Sequence, residues 1–165
     1  MNILGRDGNI SIIRIGTIGA IIGLILVVGG IILFFADRAT HQVPLNIDLY
    51  PGATLWYEID RSATSQSVLY QIPGANADEV SAYYQSKLND FTGNNEERCV
   101  RSPAAGNFPE FDRGQPDVPP YQWSCMFDRS GFQITQYTRV NIQPGVASNQ
   151  TEGMVIVEYE QLWQS

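Results

Sequence analysis

The sequence predicts an α+β protein: an N-terminal single transmembrane helix followed by an extracytoplasmic, mainly antiparallel sheet with one packed helix, in the order β-β-α-β-β-β-β. Three observations predict it. Residues 15–35 form an apolar run without a charged side chain. One later segment, "NADEVSAYYQSKLNDFTG", combines helical spacing with a start and a stop signal. The remaining stretches are short, rich in β-branched and aromatic residues, and alternate with a period of two.

The N-terminal tail, residues 1–14, carries Arg6 and Arg14. The apolar run that follows defines a membrane span over residues 15–36, because 21 helical residues reach roughly 32 Å, about the thickness of a hydrocarbon core. A cleaved signal would have a shorter apolar core ending in a small-residue cleavage site, whereas here Leu33, Phe34 and Phe35 lead straight into Ala36 and Asp37. A core helix of a soluble domain would keep a polar face, and this run has none. Arg6 and Arg14 lie before the span, while Arg38 and His41 behind it are balanced by Asp37, so the charge bias points the N-terminus inward. The expected location is the cytoplasmic membrane, with the C-terminal domain periplasmic or otherwise extracytoplasmic.

Within the span, Gly16, Gly19, Ala20 and Gly23 form a small-residue stripe, and Gly19-x-x-x-Gly23 is a spacing that lets a second helix approach closely. Glycine is also simply tolerated in membrane helices, so both readings stand. Residues 37–52, with Pro44 and Pro51, predict an extended tether, and Pro51-Gly52 a turn opening the folded domain at residues 53–165. Leu55, Tyr57 and Ile59 alternate with Trp56, Glu58 and Asp60, and Val68, Tyr70 and Ile72 repeat the pattern, giving a hairpin across residues 61–67.

In the helical segment Asn76 is the expected N-cap, Asp78 and Glu79 occupy the first turn, and Gly93 the stop. Val80, Tyr83, Tyr84, Leu88 and Phe91 make its apolar stripe. Four further strand-like stretches are "ERCVRS", "YQWSCMFD", "FQITQYTRVNIQ" and "GMVIVEYEQLW". Ser130-Gly131 predicts a tight turn and residues 144–153 a polar hairpin loop. The long stretch "SPAAGNFPEFDRGQPDVPPYQ" is rich in Pro and Gly; its Phe108, Phe111 and Tyr121 suit partner docking, packing over the sheet, or a ligand lid.

Composition narrows the function. The formal charge is −7 and Lys87 is the only lysine, which excludes nucleic acid as a partner because phosphate binding needs a cationic face. Cys99 and Cys125 are the only cysteines, and in an oxidising compartment they are expected to pair. Such a bridge stabilises by roughly 3.5 kcal/mol in the chain-entropy account. Without a C-x-x-C it is neither a redox pair nor a haem attachment. His41 is the single histidine and reads as a solvated residue of the tether, so no histidine triad or multi-histidine metal site can be built. Phosphate, dinucleotide, hydrolase and EF-hand patterns are missing, and the carboxylates are scattered. No enzyme, cofactor or metal is expected. The expected partners are the lipid bilayer and other membrane-protein subunits.

The single span, the "YPGA" entry at residues 50–53 and the helix "ADEVSAYYQSKL" together resemble small membrane-anchored extracytoplasmic proteins of filamentous phototrophic bacteria. The resemblance runs from the anchor to about Phe91. It implies an accessory subunit of a large electron-transfer assembly, of the kind found in alternating complex III, a quinol oxidoreductase. Haem and iron–sulfur ligand patterns are absent from the sequence, so the implied role is that of a non-redox subunit. A free-standing anchored module that binds a ligand or envelope polymer is the alternative.

Overall fold

The computed structural model describes residues 12–131 and 134–163. The chain forms two compact units, Met1–Thr40 and His41–Ser165. In the first, helix α1 (Ile12–Thr40) carries no charged side chain between residues 15 and 35 and is apolar around its whole circumference there. Within Ile15–Thr40 an 18-residue stretch reaches a mean hydropathy of 2.9 and none of it is buried, so the helix is long and apolar enough to cross a membrane. The helix outlasts the predicted boundary at residue 36: Thr40 Oγ1 donates to the Asp37 carbonyl at 2.7 Å, and Arg38 sits in the last turn, where the helix dipole favours a cation. Of the N-terminal tail only residues 12–14 are described, as the first turn of α1; the rest of the tail, with Arg6, lies outside the described residues.

The second unit contains β1 (Thr54–Arg61), β2 (Ser65–Pro73), α2 (Ala77–Thr92), β3 (Val100–Ser102), the single turn α3 (Pro109–Asp112), β4 (Gln122–Asp128), β5 (Gln136–Pro144) and β6 (Met154–Trp163). The strands form one six-stranded sheet in the order β1-β2-β6-β5-β4-β3. All neighbours are antiparallel, as the sequence predicts. On one face, Val68 of β2 faces Tyr159 of β6, which faces Val140 of β5; Ile142 pairs Val157 in the next row. All of these side chains are buried, and Tyr159, Val140, Ile142 and Val157, with Cys125 and Phe127 of β4, belong to the core cluster.

Helix α2 closes that face against β4 and β5. It begins where Asn76 Oδ1 accepts the Asp78 N–H at 2.8 Å and ends at Gly93, whose φ of 70° is left-handed and whose N–H caps the Asn89 carbonyl. Val80, Tyr84 and Leu88 are fully buried, and Phe91, although partly exposed, meets Phe127 edge-on with centroids 5.7 Å apart.

Two expectations about the entry segment are overturned. The folded unit starts at His41 and not at residue 53, because residues 41–50 are laid over the sheet as a strap. Leu45 is buried in the core cluster, with Ile47 and Tyr50 packed against it. Gln136 Nε2 donates to the Val43 carbonyl at 2.7 Å and Gln161 Nε2 to the Leu45 carbonyl at 2.8 Å. The Tyr50 N–H donates to the Tyr84 hydroxyl at 3.0 Å. His41 is correspondingly not solvated: it is 5% exposed, with Nε2 3.1 Å from the Arg129 carbonyl.

The β1–β2 turn is shorter than predicted. Ser62 Oγ accepts the Thr64 and Ser65 N–H groups, so Gln66 and Ser67 already belong to β2. The β4–β5 connection passes through Ser130 and Gly131, and Gly131 bridges Ile134; residues 132–133, the start of the predicted strand "FQITQYTRVNIQ", lie outside the described residues. In the β5–β6 loop, a 3₁₀ turn at Ala147–Asn149 fills the predicted polar hairpin.

Candidate functional site

The disulfide is the fixed point from which the outer surface is built. Cys99 immediately precedes β3, Cys125 lies in β4, and the register Val100–Ser124 sets the two cysteines side by side; they are bonded, with Cα atoms 4.2 Å apart. That pair suggests an oxidising compartment. Gln85 on α2 ties the approach to Cys99: its Oε1 accepts the Arg98 and Cys99 N–H groups at 2.9 and 2.8 Å.

Among the docking aromatics, the three side chains part company. Tyr121 is half-buried against the core. The Arg101 guanidinium lies 4.1 Å from its ring centroid. Burial, followed by the Asp78 charge, holds its pKa above the usual tyrosine value. Phe108 is half-buried and its N–H is anchored on the Pro120 carbonyl at 2.7 Å. Phe111, on α3, is 40% exposed and is the one of the three that offers a large open ring. The long loop is therefore a packed structure with a helical turn, and it presents less free aromatic surface than its composition implies.

A larger apolar surface lies at the opposite edge of the sheet, on β1. All eight of its residues are exposed, with Leu55 at 62%, Tyr57 at 61% and Ile59 at 49%. The cause is topological. Helix α2 packs on β4 and β5, and the strap is bonded to β5 and β6, while β1 is the edge strand beyond β2. Two register shifts, at Trp56 and at Ile59, interrupt its pairing with β2. The alternation of apolar residues identifies this strand but gives no sign that its side chains stay exposed on both faces among the described residues.

Gly16, Gly19, Ala20 and Gly23 are exposed on α1, and nothing within 4 Å meets a Cβ built on any of the three glycines. The stripe is open to a neighbouring helix.

Sequence reasoning missed the buried polar row beneath the strap. Gln136 and Thr138 continue the inward row of Val140 and Ile142 on β5, and Gln161 continues that of Val157 and Tyr159 on β6; all three are buried. Polar residues in core register are a readable signal, since each requires an internal hydrogen-bond partner. Beside them Tyr159 donates to the Tyr84 hydroxyl at 2.8 Å. Burial pushes the Tyr84 hydroxyl up to about 12 and raises Tyr159 as well. Both stay protonated near neutral pH, so they act as structural donors and acceptors and are unsuited to acid–base chemistry there. Among the described residues, no three His, Cys, Asp or Glu side chains assemble into a metal-binding group.

No family model, curated protein or solved structure matches the chain.

Proposed function

We propose that the protein is a non-catalytic accessory subunit of a larger membrane assembly, held by α1 and docking through its outer unit. The carrying observation is β1, an edge strand exposed along its whole length with four large apolar side chains, in a unit joined to a helix able to span a bilayer. A second copy of the chain is a poor occupant for this edge. The bulges break the hydrogen-bonding ladder, and Glu58 and Asp60 place acidic charge on it, both devices that oppose strand addition. A side-chain-mediated contact with a different subunit uses the same features well.

In this reading α1 lies in the cytoplasmic membrane with its N-terminus inside, and the small-residue stripe receives a partner helix. The resemblance carried by "YPGA" and "ADEVSAYYQSKL" makes a quinol-oxidising electron-transfer complex the first host to test. The alternative, a free-standing binding module, is favoured by an open concavity of about 500 Å³ on the polar face of the sheet, lined by Ser124, Asn141 and Arg139 among others.

The test is to solubilise native membranes in mild detergent and size the particle that carries the chain. Co-migration with other polypeptides supports the accessory role, whereas a small lone species overturns it. Leu55→Ser with Tyr57→Ser removes exposed surface only, so it should release the chain from the particle with little change in melting temperature. Gly19→Leu with Gly23→Leu should weaken assembly while preserving insertion, because leucine favours the bilayer.

A further inference from the structure

Between α2 and the disulfide runs a mainly apolar groove of about 230 Å³, whose lining includes Ala82, Cys99 and Trp123 together with the carboxylates Asp78 and Glu97. The indole is fixed in place, since Trp123 Nε1 donates to Asp78 Oδ1 at 2.8 Å. Gln85, holding the Arg98 and Cys99 backbone, fixes the segment that carries Glu97.

Neither carboxylate of this groove has an ion pair among the described residues. Asp78 accepts from the neutral Trp123 indole. Glu97 is exposed and has no ion pair among the described residues. Five of the unit's cations are paired with other carboxylates: Arg61 with Glu58, Lys87 with Asp48, Arg98 with Glu96, Arg113 with Glu110 and Arg139 with Glu160. Arg101 is stacked on Tyr121.

We propose that this groove receives one arginine side chain of a partner protein, which deepens the accessory-subunit reading and rests on it. Three features select arginine. The aliphatic stem finds apolar walls at Ala82, Cys99 and Trp123, the guanidinium finds two carboxylates, and an indole is the aromatic surface on which a guanidinium stacks most favourably. Arginine is also more weakly hydrated than lysine and bonds a carboxylate through a two-donor fork, so it enters a half-apolar groove at lower desolvation cost.

The experiment uses the full chain in detergent micelles and follows the Trp123 indole N–H by NMR, assigned with Trp123→Phe. The probe is acetyl-Gly-Arg-Gly-amide, with the citrulline peptide as its uncharged isostere. The arginine peptide should shift the Trp123 resonance saturably, and citrulline should bind at least about tenfold more weakly, the effect of one charge-assisted contact. Glu97→Gln should weaken arginine binding by about tenfold, and Ala82→Leu, which fills the groove from an exposed helix position, should abolish it. An unmoved Trp123 resonance, or equal shifts with both peptides, overturns the proposal.

Failure of the groove and failure of the accessory role are separable. If the chain co-migrates with partners yet Trp123 ignores arginine, the groove proposal falls and the accessory role stands. If Trp123 responds as stated but the chain sizes alone, the arginine site stands and its use in docking falls. Reduced retention of Glu97→Gln and Ala82→Leu in the particle would support both together.

Discussion

Tyr84 and Tyr159 meet hydroxyl to hydroxyl inside the core, and both resist ionisation because burial penalises the phenolate. The consequence for stability has a definite sign. Unfolded tyrosines lose their protons near pH 10, whereas Tyr84 holds its own to about 12. Between those values the unfolded state binds fewer protons, so stability falls as pH rises, by up to about 1.4 kcal/mol per pH unit for each such group. Stability should be insensitive to this pair below about pH 9 and decline steeply from pH 10 to 12. A melting series over that range checks it, and Tyr159→Phe should flatten the decline by removing one of the two groups. At this scale the sequence was partly legible. The spacing of Tyr84 on its helix marked it as core, but the partnership with Tyr159 joins residues 75 positions apart and no local pattern encodes it.

Helix α2 was the most legible element because its signals are local: a cap at Asn76, a left-handed stop at Gly93 and a buried stripe between them. β1 shows the limit of the same reasoning. Its alternation marks a two-faced strand, but whether either face is covered depends on where α2 and the strap come to lie. In the Pro-rich loop composition leaves docking, packing and a lid open, and Phe108 and Tyr121 take the packed course through the Pro120 carbonyl and the Arg101 guanidinium, residues that composition alone does not connect to them. Gly145 in the β5–β6 loop was also unreadable. A Cβ there would stand 1.8 Å from the Thr151 carbonyl oxygen, inside the turn where Thr151 Oγ1 accepts the Val146 N–H at 2.9 Å. Gly145→Ala should therefore destabilise the unit by about 1–3 kcal/mol, since the neighbour is backbone and yields little. Alanine at half-buried Gly131, where a Cβ meets nothing within 4 Å among the described residues, should have a much smaller effect. Chemical denaturation of the two variants distinguishes these outcomes.

At the scale of the molecule, the division into an apolar helix and an α+β unit was readable, but the boundary between them was misplaced. Pro44 and Pro51 do enforce an extended segment, but an extended chain can equally lie against a sheet whose inward row offers Gln136 and Gln161 as donors to its carbonyls. The revised boundary is testable. Leu45 is 8% exposed and Val43 is 54% exposed. Leu45→Ala should cost about 2–3 kcal/mol, whereas Val43→Ala should cost less than about 0.5 kcal/mol; a free tether predicts no loss at either position. The strap also constrains the order in which the unit can be made. Its anchors reach up to 116 positions along the chain, and β6, which follows every other strand in sequence, must insert between β2 and β5 before the sheet exists. Closure is thus dominated by distant contacts, a topology that folds slowly. Until residue 163 has emerged, the first-made strands remain without their central neighbour, and this nascent interval is when the chain most needs protection from aggregation.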